Sequence, residues 1–169
     1  MKKTILTSAF ALCSLIGFAQ HELKLNFLNV ITIGSVELGY EYLLDDNQSV
    51  GVGLLINDRY NYRSETGARE FDTNSFFAAY NFYVSGSDNT GLVISPQAKV
   101  RFGDYTRSDR QEVDMDSFSL GVGLGYKWIF ERIFTIGPEL YIGRNFSDDV
   151  RREFEAIEFN VGVNIGVRF

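Results

Sequence analysis

The chain has 169 residues, 45% apolar and 15% aromatic, with 16 basic and 22 acidic side chains and a net charge of −6. An apolar-rich chain of one domain's length with only two prolines is not a disordered tail. The negative charge argues against a nucleic-acid partner.

Lys2 and Lys3 precede a 15-residue uncharged run from Ile5 to Ala19. This is the form of a secretory signal. The run is shorter than the ~20 residues of a spanning helix, and Gly17-Phe18-Ala19 offers small residues for cleavage before Gln20. Residues 1–19 are therefore expected to be removed, leaving residues 20–169 as a single domain. Loss of the two lysines leaves 14 basic residues against 22 acidic ones, a mature charge of −8. Cys13, the only cysteine, goes with the signal; Leu12 before it is not the small residue that lipid attachment requires. An exported chain without cysteine has no disulfides and no thiolate metal site.

After Ala19 no apolar run reaches 18 residues, and the sequence alternates instead. Apolar side chains recur at every second position in eight stretches: Leu23 to Phe27, Val36 to Tyr42, Val50 to Ile56, Phe76 to Val84, Leu92 to Phe102, Phe118 to Trp128, Phe134 to Ile142 and Ile157 to Phe169. Period two marks strands. No segment reads as a helix of useful length.

The connections sort by length. Asp45 to Ser49, Gly86 to Gly91 and Glu131-Arg132 are short turns, whereas Asp58 to Glu70, Asp104 to Asp116 and Asn145 to Glu153 are long polar loops. Only the connection near Thr32 to Ser35 is brief among the second kind. Strict alternation places the short turns and both chain ends on one side, as in a barrel inserted from the periplasm. Eight tilted strands of roughly 11 residues span the ~25 Å apolar band. The expected fold is an all-β, eight-stranded antiparallel up-and-down transmembrane barrel in the outer membrane, with both termini periplasmic.

Alternation alone does not say which face points outward, since a soluble lipid-carrying barrel also alternates. The polar face decides, because it carries ten glycines among its charges, and glycine weakens a solvent-exposed strand surface. Glycine suits a narrow lumen that side chains just fill, beside Lys24, Glu37, Glu41, Lys99, Arg101, Lys127, Glu139, Glu158 and Arg168. Unpaired charges out of water cost several kcal/mol, so these are expected to form a paired network. Lys24 is predicted opposite Glu41 across the first hairpin, and Lys127 diagonal to Glu139 across the sixth and seventh strands.

Aromatic residues cluster at strand ends. Tyr40, Tyr42, Phe82, Tyr126, Trp128, Phe134 and Phe169 fall beside the short turns or the C-terminus, as in a membrane-interface belt. Phe27, Phe76, Phe102, Phe118 and Phe159 tend toward the other rim. Pro96 and Pro138 each remove a ladder hydrogen bond, so a bulge or local irregularity is expected at both.

The last residues, Val161-Gly-Val-Asn-Ile-Gly-Val-Arg-Phe169, resemble the terminal strand of Gram-negative outer-membrane proteins, which ends in Phe after alternate apolar residues. That resemblance implies that Phe169 is read by the barrel assembly machinery during insertion. Over its mature length the chain looks like the small barrels of the OmpA transmembrane-domain and OmpX type. The segments Lys24-Leu-Asn-Phe-Leu-Asn29 and Glu37-Leu-Gly-Tyr-Glu-Tyr42 are similar to an uncharacterised barrel family of Bacteroidota. No peptidoglycan-binding domain follows the barrel, so a cell-wall tether does not carry over.

Some eight-stranded barrels are lipid A-modifying enzymes that use a His with a Ser and often an acid. The only histidine here is His21, next to the cleavage site and far from the outer rim, so no Ser-His pair forms there. Glu37 and Glu41 have the chemistry for acid–base work, but nearby basic residues favour structural pairing. Asp148, Asp149, Asp104, Asp109, Asp114 and Asp116 offer the oxygen ligands Ca²⁺ favours, yet the interspersed Arg107, Arg110, Arg144, Arg151 and Arg152 explain them as solvated loops. No metal or cofactor is expected. Those arginines equally suit the phosphates of lipopolysaccharide. Gly121-Val-Gly-Leu-Gly125 alternates as a strand and opens no helix, so it is not a nucleotide fingerprint.

A filled lumen is no general porin, which leaves the surface. Arg59, Tyr60, Tyr62 and Arg63 in the first long loop, with Arg107 and Arg110 in the second, are candidate contacts. The reading is a non-enzymatic structural or surface-interaction barrel. Alternatives are an accessory subunit of a larger outer-membrane complex, with a small-residue patch around Ala78 and Ala98; a lipid A-modifying enzyme; and a soluble periplasmic lipid carrier, which inverts the faces.

Overall fold

The computed structural model describes residues 20–62 and 70–169. The signal segment with Cys13, and Arg63 in the first loop, lie outside the described residues. The chain forms β1 (His21–Asn26), α1 (Phe27–Ile33), β2 (Val36–Asp45), β3 (Gln48–Ile56), a single 3-10 turn (Tyr60–Tyr62), β4 (Glu70–Tyr83), β5 (Gly91–Thr106), β6 (Glu112–Asp114), β7 (Ser117–Phe130), β8 (Phe134–Asn145), α2 (Asp148–Glu153) and β9 (Ile157–Arg168). The eight long strands pair antiparallel with their chain neighbours, and β9 returns to β1 to close the ring. The three-residue β6 hangs on the far end of β5. The expected eight-stranded antiparallel barrel is therefore present, with every predicted strand in place.

Closure is tightest at the end that carries the short turns. His21 N–H donates to Phe169 O at 3.1 Å and Phe169 N–H to His21 O at 2.8 Å, so the two chain ends zip together. Glu131 and Arg132 both take positive φ, 53° and 60°, with Ile133 N–H bonded to Phe130 O. That is the two-residue turn whose twist matches the flanking strands.

The loop-side end departs from the sequence reading. The alternation through Phe27 and the brief connection at Thr32 to Ser35 are replaced by α1. Asn26 stops β1: its side chain accepts from Asn29 N–H at 3.2 Å as an N-cap. Gly34, at φ 65°, ends the helix in the left-handed conformation that glycine adopts without strain. Because β1 stops opposite Asn164, the first half of β9 has a strand on only one side. Asn61 fills part of that edge, its side chain accepting from Phe159 N–H at 2.7 Å and donating to Ile157 O at 3.0 Å.

The two prolines act more gently than expected. Pairing of β5 with β4 skips the rungs beside Pro96, and pairing of β8 with β7 skips those beside Pro138, but the register is the same on both sides of each gap. There is irregularity without a bulge, since each proline lacks one donor yet keeps its extended φ. The register shift lies instead between Leu43 and Asp45.

Polarity is inverted relative to an ordinary soluble domain. Leu23 is 54% exposed and Leu120, Val122 and Leu124 all point outward, whereas Glu22 and Glu41 are wholly buried and Arg101 is 2% exposed. Among the described residues a conventional apolar core exists only beyond the loop-side mouth, where Tyr60, Phe71, Tyr105, Met115, Val150 and Phe154 pack together. Ring centroids there are 4.6 Å apart for Phe71–Tyr105 and 5.1 Å for Tyr60–Phe154, and Tyr60 hydroxyl donates to Glu155 O at 2.6 Å. Replacing Phe154 by Ala removes the ring that packs against Tyr60, Phe71 and Tyr105 and is expected to cost about 3 kcal/mol. Limited proteolysis should then cut the loop segments while an intact barrel fragment survives.

Candidate functional site

The lumen holds the polar chemistry of the molecule in two layers. Near the turns, Glu41 on β2 receives Lys24 at 2.8 Å and Lys127 at 3.0 Å. Its other oxygen accepts from Ser49 and Tyr83. Glu22 on β1 receives Lys127 at 3.1 Å, Arg168 at 3.3 Å and the Thr135 hydroxyl at 2.8 Å. Strands β2 and β7 stand opposite one another in the ring, so the Lys127–Glu41 contact crosses the barrel axis.

Toward the loops, Asp58 and Glu158 share Lys99 and Arg101. Arg101 lies 2.8 Å from Asp58 and 2.9 Å from Glu158, and Lys99 lies 3.2 Å from both. Ser75 donates to Asp58 and Ser119 to Glu158. The Arg101 guanidinium also lies 5.1 Å from the Tyr60 ring, tying this layer to the apolar core above it.

Between the layers sit Glu37 and Glu139, which form no ion pair among the described residues. Glu37 accepts from the amides of Asn26, Asn29 and Asn160 at 2.9, 3.2 and 3.3 Å, and Glu139 from Asn164. Six buried or half-buried carboxylates thus face five cations. The voids beside these two groups measure about 40 and 20 Å³, room for a water or a few rather than a channel. Glycines make the packing possible: a Cβ on Gly162 would sit 2.0 Å from the Asn26 amide, and one on Gly121 would sit 2.6 Å from the Tyr141 ring. A larger hollow of about 310 Å³ lies at the turn-side mouth, lined by Gln20, Asp45, Asp88, Arg132 and Arg168 among others.

All nine lumen residues named from the sequence are brought together in these layers, but the detailed pairing differs. Gly39 stands opposite Lys24 and Glu22 opposite Glu41, so the Lys24–Glu41 bridge forms on the diagonal. Lys127 does lie diagonal to Glu139, since Gly125 is opposite it, yet its ammonium turns across the axis to Glu22 and Glu41. Two bridging acids were missed. Glu22 shares the inward parity of Lys24 and was legible; Asp58 follows Asn57, whose φ of 58° breaks the strand and turns the chain inward, which no period announces.

The aromatics Tyr40, Tyr42, Phe82, Tyr126, Trp128 and Phe134 are exposed on the outer wall at the turn end, with Tyr126 and Trp128 rings 4.6 Å apart. His21 joins this band, stacked 5.9 Å from Tyr40 and 5.8 Å from Phe169, with Nδ1 2.6 Å from the Tyr40 hydroxyl. Tyr60 is not the surface contact expected, being wholly buried in the loop-side core. Arg107 is tied to Glu153, and Arg110 is exposed in the turn between β5 and β6. Arg59 is half-buried, and Tyr62 ends the 3-10 turn. Among the described residues no three His, Cys, Asp or Glu side chains converge as a metal set.

These features define a class: a closed antiparallel barrel, apolar outside and ionic inside. Comparison with family models, curated proteins and solved structures returns no match.

Burial opposes ionisation of Asp58, but Arg101 and then Lys99 outweigh it and hold its carboxyl well below the usual carboxylate range. A depressed folded value means stability that is full above the unfolded value near 3.9 and is lost as pH falls toward the folded one. Asp58→Asn should therefore cost about 3 kcal/mol at neutral pH, where it leaves Glu158 alone to balance the two buried cations Lys99 and Arg101. The gap between variant and wild type should narrow below about pH 4, as read from urea midpoints across pH.

Proposed function

We propose that the chain is a small outer-membrane barrel of the OmpA and OmpX type, working without catalysis as a structural or surface-interaction protein. The observation that carries this reading is the inverted polarity. Leucines, valines and aromatics cover the outer wall of a closed ring, and the nine lumen charges named from the sequence turn inward. In acyl chains this arrangement satisfies every requirement that water would punish: backbone groups pair within the ring and the wall meets a solvent as apolar as itself. A soluble carrier of apolar ligands needs the opposite placement.

The reading fixes an orientation. The signal directs export, Phe169 serves the assembly machinery, and the turns with both termini face the periplasm. The aromatic band around Trp128 then lies at the inner interface, and Phe102, Phe118, Phe146 and Phe159 lie at the outer one. The apolar core of Tyr60, Phe71, Tyr105 and Phe154 forms a compact head above the outer leaflet, a rigid support for contacts at the cell surface. Lipopolysaccharide is the lipid it meets there. His21, stacked in the opposite band, has no place in outer-leaflet acyl chemistry.

One observation favours the subunit alternative. Ala78 stands directly opposite Ala98 on the outer wall, with Val52 and Leu120 next in register, a shallow patch suited to a larger partner in the membrane.

Fractionation and gel migration test the main reading. The protein should sediment with membranes, need detergent for extraction, and migrate faster unboiled than boiled. A band in the soluble fraction that ignores boiling refutes it.

A further inference from the structure

Of the five arginines interspersed with the acidic residues of the second and third long loops, three are neutralised locally: Arg107 by Glu153, Arg151 by Asp148 and Arg152 by Asp149. Arg110 stands in a turn beyond the wall. Arg144 is different, for it lies within β8 on the outward parity between Ile142 and Phe146, each 48% exposed. Its register partners are Leu120 on β7 and Ile157 on β9, both outward and apolar. The guanidinium rests 5.8 Å from the Phe146 ring, which in turn stacks 6.1 Å from Phe118. Among the described residues it makes no hydrogen bond or ion pair.

A permanent cation on an apolar wall is costly at the bilayer centre and tolerable near the interface. Arg144 sits one residue before the end of β8, level with the aromatic band, where the phosphates of the outer leaflet begin. The other sector of the rim has the opposite sign. Asp72 stands across from Asp104, and Asp104 across from Asp114, all exposed, with Asp116 beside them. Anionic headgroups are repelled there and accommodated on the β7–β9 side.

We infer that Arg144, seated among Phe118, Phe146 and Ile157, anchors the phosphate of an anionic lipid of the outer leaflet, its planar fork donating to two phosphate oxygens while the neighbouring rings take the acyl chains. This rests on the membrane reading above. Binding is tested on the full mature barrel in detergent, offered phosphatidylcholine vesicles doped with lipid A or with dephosphorylated lipid A, with retained lipid counted by native mass spectrometry. Arg144→Gln should lower lipid A retention roughly tenfold, the weight of one charge-assisted contact. Arg144→Lys should lie between, and Arg110→Gln should match wild type. Wild type should hold dephosphorylated lipid A no better than Arg144→Gln holds lipid A, and excess inorganic phosphate should not displace the bound lipid. The boiling-dependent gel shift shows that each variant has kept its barrel. Equal retention by wild type and Arg144→Gln, indifference to dephosphorylation, or displacement by inorganic phosphate overturns the site alone. A wild-type protein that needs no detergent overturns both the site and the membrane reading.

Discussion

Charge neutralisation across the barrel axis is the constraint on which the rest of the structure depends. Eight strands leave an interior only as wide as the side chains that fill it, and this interior holds six carboxylates and five cations. A carboxylate or ammonium stripped of water costs several kcal/mol unless matched, so these groups have to meet, and they meet across the ring as well as between neighbouring strands. Lys127 on β7 reaches Glu41 on β2 and Glu22 on β1; Arg101 on β5 reaches Glu158 on β9. Each bridge ties strands far apart in sequence, so the network works as internal bracing for the closed ring.

The same constraint explains the distribution of small and hydroxyl side chains. Ser49, Ser119 and Thr135 each donate to a carboxylate oxygen that the cations leave over, and Ser75 joins Lys99 and Arg101 on one oxygen of Asp58. Glycines lie where the larger groups need room, as Gly162 beneath Asn26 and Gly121 beside Tyr141. Only at mid-height does the matching rely on amides, at Glu37 and Glu139, and there the small voids remain. Neutral donors there satisfy hydrogen bonds without cancelling charge.

What could be read in advance follows from the range of the interactions involved. Strand number and the direction of each face follow from period-two alternation, which is local, and from glycine accompanying charge on one face. The Lys24–Glu41 pair was legible because both lie in one hairpin, whereas the partners of Lys127 were not, because register within a hairpin is local while Lys127–Glu41 spans the ring. The helix α1 escaped for another reason. Phe27-Leu-Asn-Val-Ile-Thr-Ile33 is rich in β-branched residues that favour strands, and its helical course is set by the Asn26 cap and by Gly34. The loop-side core escaped because Tyr60, Phe71 and Phe154 lie in segments whose polar neighbours mark them as loops.

That helix and that core answer a single problem created by the short first strand. With β1 ending opposite Asn164, the wall beside the first half of β9 has no eighth strand at that height. An unpaired strand edge is costly wherever water is excluded. Asn61 supplies the missing donor and acceptor to Ile157 and Phe159 from a side chain held at φ 53°. It can do so because the adjacent Tyr60 is locked in the loop-side core, its hydroxyl on Glu155 and its ring beside Phe154. α1 packs along the same face of β9, sending Asn26 and Asn29 inward to Glu37 while Phe27, Val30 and Ile31 stay outside. The head is therefore part of the wall: its apolar packing positions the polar groups that complete the ring where the first strand falls short.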